Sequence, residues 1–276
     1  MPSDVVDAHV HLLPSRLQAA IRGFFDARGI DSRGFAYPAD HGEVCSRLAA
    51  EGVTEAWTLP YARRPGSAAD LNSAVAEIVA VQRGGAVRLV GGCTVHPADD
   101  QPVTLLRRAV EDLGLRVLKL HCSVGEFTPD DRRLDPVWEY ASAVALPVVL
   151  HAGHAADGHT AAAELEPVEV VARRHPGARV IIAHCGHAAA TAALGLVARH
   201  ANVHADLTPV IHERVQPPPA QLAELADKLL FGSDAPNTGL TATQLLDGLA
   251  HPDVPGTARA AITGGTARRL IREVRA

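Results

Sequence analysis

The sequence has little of several features that mark other classes of protein. Aromatic residues make up only 4% of the 276 residues, so a large core must be built mostly from Val, Leu, Ile and Ala. The four cysteines form no Cys-x-x-Cys pair, which argues against a zinc–thiolate site and fits free buried thiols in a reducing compartment. No apolar stretch approaches the length of a membrane span, and residues 1–7 lack the basic and apolar regions of a signal peptide. We therefore expect a cytoplasmic location and no membrane partner.

An excess of positive charge is also missing. The formal net charge is −5, which gives no electrostatic reason to expect a nucleic-acid partner. Hydrophobic residues, in contrast, make up 47% of the chain and charged residues 21%. This composition permits a large buried core and argues against disorder.

Short runs rich in Val, Ile and Leu alternate with stretches of helical spacing. The eight runs predicted as strands are Val5–His11, Val53–Leu59, Val87–Val95, Leu115–Cys122, Pro147–Ala152, Arg179–Cys185, Asn202–Leu207 and Leu229–Ser233. The predicted helices between them are Ala69–Gln82, Val103–Leu113, Leu134–Val144, Pro167–Arg174, Ala188–His200 and Ala220–Leu225. Eight strand–helix units favour an α/β fold with a parallel sheet closed into a (β/α)8 barrel. Since no Gly-, Pro- or Ser-rich linker divides the chain, one domain over residues 1–276 is expected.

Two segments fall outside this regular alternation. The segment Arg16–Arg28 predicts an extra N-terminal helix, and Gly29–Asp40 predicts a loop inserted over the mouth of the barrel. At the other end of the chain, Thr257–Arg275 predicts a terminal helix that packs back on the barrel. Gly114 follows a predicted helix in the position of a C-terminal cap.

Fifteen histidines are many for this length, and several of them end apolar runs. Polar residues end five of the predicted strands: His9 and His11 on the first, Lys119 and His121 on the fourth, His151 on the fifth, His184 on the sixth and Asp234 on the eighth. A polar residue that ends an apolar strand is costly unless it is paired or bound to a metal. Because active sites of this fold lie at the C-terminal ends of the strands, the pattern predicts a metal site there.

This order of residues resembles the amidohydrolase superfamily. The matching segments are VDAHVH (6–11), LKLH (118–121), LPVVLHAG (146–153), VIIAHCG (180–186), LFGSDAP (230–236) and TGGTARRLI (263–271). Within the superfamily, the chain is most similar to the amidohydrolase-related group that contains aminocarboxymuconate-semialdehyde decarboxylase. The chain departs from the pattern at His96, at His187, where Gly is usual, and at Thr266, where Asn is usual. These departures concern the identity of the substrate.

The resemblance implies one divalent metal ion held by His9, His11, His151 and Asp234. Zinc is favoured, with Mn, Fe or Co as alternatives, because imidazole and carboxylate ligands suit all of them. By the same resemblance His184 acts as the general base or polarises the substrate, and Asp234 also accepts a proton. The alternative for His184 is a plain metal ligand, as in binuclear relatives.

Lys119 has two interpretations. In binuclear members of the superfamily this lysine is carboxylated and bridges two metals, whereas many members of the amidohydrolase-related group have a single metal. We predict an unmodified Lys119 near the metal. Together with His121, His154 and His187, it is assigned to substrate binding.

The resemblance implies a metal-dependent hydrolase that activates water to attack an amide, a lactone or a related carbonyl of a small molecule. The alternative is a metal-dependent, non-oxidative decarboxylase of a small carboxylic acid, in which Arg63 or Arg64 would hold the carboxylate. A catalytically inactive barrel used as a binding module is a third interpretation, which the complete set of ligands opposes. Dimers are common in the family, so a homodimer is one expected oligomeric state.

Overall fold

Eight parallel strands form one sheet in which neighbours follow the order of the chain. The computed structural model describes residues 4–152, 163–209 and 217–275. The strands are β1 (Val5–Val10), β2 (Val53–Thr58), β3 (Arg88–Cys93), β4 (Val117–Leu120), β5 (Pro147–Leu150), β6 (Arg179–Ile182), β7 (Val203–Asp206) and β8 (Leu229–Leu230). Every pair of consecutive strands is parallel.

Helices separate the strands along the chain. They are α1 (Ser15–Asp26), α2 (His41–Ala50), α3 (Ala68–Val81), α4 (Pro102–Glu111), α5 (Cys122–Gly125), α6 (Asp135–Ala143), α7 (Leu165–Arg174), α8 (Ala190–Arg199), α9 (Pro219–Glu224), α10 (Ala242–Gly248), α11 (Gly256–Ala260) and α12 (Thr266–Arg272). None of the helices in the described ranges combines the length and the apolar character needed to cross a membrane.

Backbone hydrogen bonds between β1 and the end of β8 close the sheet. The N–H of Ala8 donates to Phe231 over 2.9 Å, the N–H of Asp234 to His9 over 2.8 Å, and the N–H of His11 to Ala235 over 2.7 Å. We call this line of contact the β1–β8 seam. The predicted (β/α)8 barrel is confirmed.

Two apolar layers hold the barrel together, as expected for a parallel sheet covered by helices. The inner layer fills the barrel and is closed at one end by α12; its members include Val6, Trp57, Val90, Val117, Val149, Ile181, Leu230 and Leu270. The outer layer lies between the strands and the surrounding helices and is the larger of the two. Most of the buried side chains are Val, Leu, Ile and Ala, as the low aromatic content predicts. The four cysteines are buried and unpaired.

The structure differs from the sequence prediction at the ends of elements and in helices that were not predicted, among them α2 and α10. Most predicted strands are one to three residues too long at their C-terminal ends, because those last residues already turn into the mouth. The predicted continuous helix Thr257–Arg275 is interrupted by a π-helical segment, Ala261–Gly265. This segment ends in two adjacent glycines, which have low helix propensity.

The predicted N-terminal helix Arg16–Arg28 corresponds to α1, and the following loop contains a short 3-10 turn at Ser32–Gly34. The α1 helix reaches the loop after β8, where the amide of Gln18 donates to Asn237 over 2.6 Å. The description of this region as an insertion over the mouth stays a prediction.

Candidate metal centre

The end of β1 places two imidazoles at the mouth of the barrel. His9 is fully buried, and its Nδ1 lies 2.9 Å from Oδ2 of Asp206. Nδ1 of His11 lies 2.7 Å from the carbonyl oxygen of Leu59. Carbonyl and carboxylate oxygens only accept hydrogen bonds, so Nδ1 must be the protonated nitrogen in both rings. In the neutral rings, Nε2 is then left as an acceptor, which is the form that binds a metal.

Asp234 meets these two Nε2 atoms from the other side of the β1–β8 seam. Its Oδ1 lies 3.1 Å from Nε2 of His11 and 3.8 Å from Nε2 of His9. All three atoms carry lone pairs, and such a convergence is unfavourable unless a cation lies among them. The donor set therefore fits a divalent cation.

His184 repeats the same arrangement at the end of β6. Its Nδ1 lies 3.0 Å from the carbonyl oxygen of Thr208, so Nε2 is again the acceptor. Burial lowers the pKa of His184, which favours the neutral ring. Asp206 lies between His184 and His9: its Oδ1 accepts the backbone N–H of His184 over 2.9 Å, while Oδ2 faces His9. Among the described residues, His9, His184 and Asp206 form a second group close enough to hold a metal, beside His9, His11 and Asp234.

The backbone at two of these residues is left-handed. His184 and the three residues after it have φ values between 46° and 68°, and Asp234 has a φ of 64°. This conformation is uncommon for a residue with a side chain and costs free energy, and such outliers often occur at functional sites. The turn after β6 thus aims His184 at the mouth rather than continuing the strand.

Lys119 lies within β4 and is completely buried. Its Nζ is 3.3 Å from Nε2 of His9. Burial lowers the pKa of Lys119 to about 8, although the carboxylates of Asp206 and Asp234 act in the opposite direction. The structure therefore places this lysine beside His9, as predicted, and its role there stays a prediction.

The remaining predicted site residues lie around this centre. His151 belongs to neither group of metal-holding residues, and its ring stacks on His121 with 3.7 Å between the centroids. Burial lowers the pKa of both rings well below the usual value. The ring of His187 lies 5.8 Å from that of His184. His154 lies outside the described residues, and the assignment of His151 as a ligand stays a prediction.

The aromatic rings at the mouth form a closed circle. Successive centroid distances are 5.0 Å from His9 to His11, 5.7 Å to Tyr61, 4.9 Å to His121, 3.7 Å to His151, 4.8 Å to His184 and 4.6 Å back to His9. We call these six rings the ring circle. It surrounds the space onto which the predicted ligands and the predicted base face.

Two residues of this centre were missed from the sequence. Asp206 ends β7 and obeys the same strand-end rule that identifies the histidines, so the signal was present. Tyr61 follows β2 by three residues, on a loop whose path the sequence pattern does not define. The predicted carboxylate-binding residues Arg63 and Arg64 lie on the same loop, and both are exposed.

The chain is similar in sequence to one protein family and in structure to many solved barrels. The family model described as Amidohydrolase matches residues 6–272. No curated protein matches the chain.

Three of the similar structures show the range of proteins that share this fold. An uncharacterised TIM-barrel protein from Bordetella bronchiseptica has a TM-score of 0.79 at 19% identity, with 98% of this chain and 99% of that chain covered. A 5-carboxyvanillate decarboxylase from Novosphingobium aromaticivorans with bound manganese has a TM-score of 0.68 at 13% identity, covering 98% and 97%. A dihydroorotase from Campylobacter jejuni has a TM-score of 0.61 at 16% identity, covering 96% and 82%. At these identities the structural likeness supports the fold, and function must be argued from the site.

Proposed function

Because this chain belongs to the amidohydrolase family, we propose that it is a metal-dependent hydrolase acting on the carbonyl of a small molecule. The bond that it breaks belongs to an amide, a lactone or a related ester. The observation that carries this proposal is the convergence of Nε2 of His9, Nε2 of His11 and Oδ1 of Asp234 at the barrel mouth. Both imidazoles are fixed through Nδ1, so the three acceptor atoms are prepared for a cation.

The residues proposed to hold the metal are His9, His11 and Asp234, with His151 as the fourth ligand. A divalent cation bound there would supply Lewis-acid chemistry, polarising the substrate carbonyl and making water more acidic. Zinc is our first choice, and manganese is the alternative because a structural neighbour binds it. The other predicted metals, Fe and Co, would suit the same nitrogen and oxygen donors.

His184 is proposed to move the proton. In its neutral form, Nε2 accepts a proton from the attacking water as the new C–O bond forms at the carbonyl carbon. The carboxylates of Asp234 and Asp206 favour the resulting imidazolium, since both act to raise the pKa of this ring. Nε2 then returns the proton to the departing nitrogen or oxygen as its bond to the carbonyl carbon breaks. Water and substrate are thereby converted to an acid and an amine or alcohol.

The substrate is proposed to lie within the ring circle, where it meets Lys119, His121 and His187. A cavity adjoins His151 and offers a mostly apolar wall that includes Phe127, Pro129, Leu150 and Val168. An apolar wall beside convergent polar groups is typical of small-molecule sites. The alternative is a decarboxylase, in which Arg63 or Arg64, both exposed on the loop after β2, would hold the carboxylate.

A substrate panel tests this function. The protein is loaded with zinc or manganese, its metal content is measured, and amides, lactones and carboxylic acids are followed for release of acid and of CO2. We expect acid release by the loaded protein and none by His11→Ala, which lacks one proposed ligand. His251→Ala serves as the control, because that side chain is about half exposed on the surface. Release of CO2 without hydrolysis would overturn the proposal in favour of a decarboxylase.

A further inference from the structure

Tyr61 belongs to the ring circle but has no role in the proposed metal binding or proton transfer. Its ring lies edge-on to His11, with 5.7 Å between centroids and an interplanar angle of 90°, and 4.9 Å from the ring of His121. It therefore stands between a proposed metal ligand and a proposed substrate-binding residue. It also occupies the part of the mouth beside β2, a strand that ends in no charged residue or histidine.

The hydroxyl of Tyr61 makes no hydrogen bond within the described part of the chain. The chain has three tyrosines, and the other two have clear structural partners. The hydroxyl of Tyr37 donates to Glu51 over 2.7 Å, and that of Tyr140 donates to Glu111 over 2.9 Å. For Tyr61, no such partner exists among residues 4–152, 163–209 and 217–275. A half-buried phenol usually finds a hydrogen-bond partner, so we expect one beyond the described residues, such as water or a bound substrate.

The donors and acceptors already present at the mouth indicate which kind of group can bond to the hydroxyl of Tyr61. Nε2 of His9, His11 and His184 are acceptors, and so are the oxygens of Asp234. Lys119, a donor, already contacts His9. A tyrosine hydroxyl has an ordinary pKa of about 10, so the phenol of Tyr61 is protonated at neutral pH and acts as a donor.

We infer that the hydroxyl of Tyr61 donates a hydrogen bond to an oxygen of the substrate bound within the ring circle. This inference rests on the proposed function, and it assigns Tyr61 to the carbonyl oxygen of the bond that is broken. Negative charge develops on that oxygen when water attacks, and a donor aimed at it stabilises the transition state. The substrate class is accordingly one with an oxygen acceptor at the reacting carbon, as in an amide or a lactone.

The variant Tyr61→Phe removes the hydroxyl and keeps the ring contacts with His11 and His121. Tyr140→Phe is the matched control, since it also removes one tyrosine hydroxyl but far along the chain, on α6. Acetohydroxamic acid, which carries a carbonyl oxygen and binds metals, is titrated by calorimetry into each zinc-loaded protein. We expect binding roughly 10-fold weaker for Tyr61→Phe, the effect of one lost hydrogen bond, and no change for Tyr140→Phe. The zinc content should be equal in all three proteins.

The same proteins are then assayed for hydrolysis on any amide or lactone that the wild type cleaves. We expect Tyr61→Phe to lower kcat by roughly 10- to 100-fold. Equal affinity of wild type and Tyr61→Phe for acetohydroxamic acid, including no binding by either, overturns the assignment of Tyr61. If the affinity difference is found but no amide or lactone is cleaved, the assignment of Tyr61 stands and the hydrolase proposal fails.

Discussion

The two ring nitrogens of His9 face different partners. Nδ1 donates to the buried carboxylate of Asp206, and Nε2 faces Lys119 and Asp234. A carboxylate behind a ligating histidine fixes both the tautomer and the orientation of the ring. Burial raises the pKa of Asp206, while the neighbouring His184 and Lys119 and the backbone N–H groups of His184 and Thr208 act to lower it. Asp206 thus acts on the centre through His9 rather than by contact with substrate.

Replacement of Asp206 by Asn tests this arrangement. The amide places an N–H2 group near Nδ1 of His9, so the ring has to change tautomer and Nε2 becomes protonated. We expect the affinity for zinc to fall by about 10- to 100-fold, as for other partners behind a metal-binding histidine. Competition with a chromogenic chelator measures this change. Asp253→Asn, on an exposed loop, is the control, and an unchanged zinc affinity in Asp206→Asn would contradict the role of Asp206.

His184 allows proton transfer to be separated from metal binding. We expect His184→Ala to keep its metal while kcat falls by roughly 100-fold or more, the usual effect of a lost general acid or base. His11→Ala, in contrast, should lose metal because Nε2 of His11 is one of the converging atoms. Elemental analysis and steady-state kinetics on both variants give the comparison. If His184→Ala loses as much metal as His11→Ala, then His184 is a ligand.

At the scale of the strand, most of the centre could be predicted from the sequence. In a parallel barrel all strands end at the same face, so a polar residue that ends an apolar run has a known location. This rule brings His9, His11, Lys119, His184 and Asp234 together without any knowledge of loops. It also applies to Asp206, which ends β7 and was not predicted.

The remaining part of the site depends on loops, which the rule does not cover. Tyr61 reaches the ring circle through the path of the chain after β2, and the left-handed turn at His184 is not encoded by a Gly at that position. The rings of His121 and His151, which directly follow β4 and β5, stack on each other through their particular side-chain conformations. None of these follows from periodicity, which reports only which face of an element is buried.

The contact between β8 and β1 depends on a residue without a side chain. A Cβ atom added at Gly232 would lie 2.7 Å from Cβ of His9 and 2.4 Å from Oγ1 of Thr208. We expect Gly232→Ala to destabilise the fold by about 1–3 kcal/mol, the usual cost of overpacking, and to weaken zinc binding by moving His9. Urea unfolding and chelator competition measure the two effects.

Gly239→Ala is the matched control for this prediction, because the nearest atom to an added Cβ there is 3.9 Å away. Equal stability of the two variants would mean that β8 can move away from β1 at little cost.

The barrel also contains a buried histidine, His204, away from the metal centre. His204 on β7 is 5% exposed, and its Nδ1 has no hydrogen-bond partner in the described part of the chain. Burial, together with the positive charges of Arg269 and Lys228, lowers the pKa of His204 to about 4. The ring is therefore neutral in the folded protein at neutral pH.

This histidine makes the stability of the barrel depend on pH. Unfolding returns the pKa of His204 to about 6.5, so the unfolded chain binds an extra proton between pH 6.5 and pH 4. The free energy of unfolding is therefore highest above pH 6.5. It falls by about 3 kcal/mol as the pH is lowered towards 4. We expect His204→Gln to flatten this part of the curve of unfolding free energy against pH, measured by urea unfolding at fixed metal concentration.

His251→Gln is the control, since His251 is about half exposed and should leave the curve parallel to that of the wild type. Parallel curves for His204→Gln and the wild type would contradict the assignment of the acid sensitivity to His204.

The β1–β8 seam also has a consequence for how the protein is made. His9 and His11 leave the ribosome well before Asp234, which follows His9 by 225 positions (234 minus 9). At a synthesis rate of roughly 5–20 residues per second, Asp234 is added to the chain on the order of 10 to 45 s after the two histidines. During that interval a nascent chain offers a metal ion only part of the set, and the geometry of the mouth does not yet exist. A correctly assembled metal centre therefore marks a chain that has been synthesised past its eighth strand and has closed on its first.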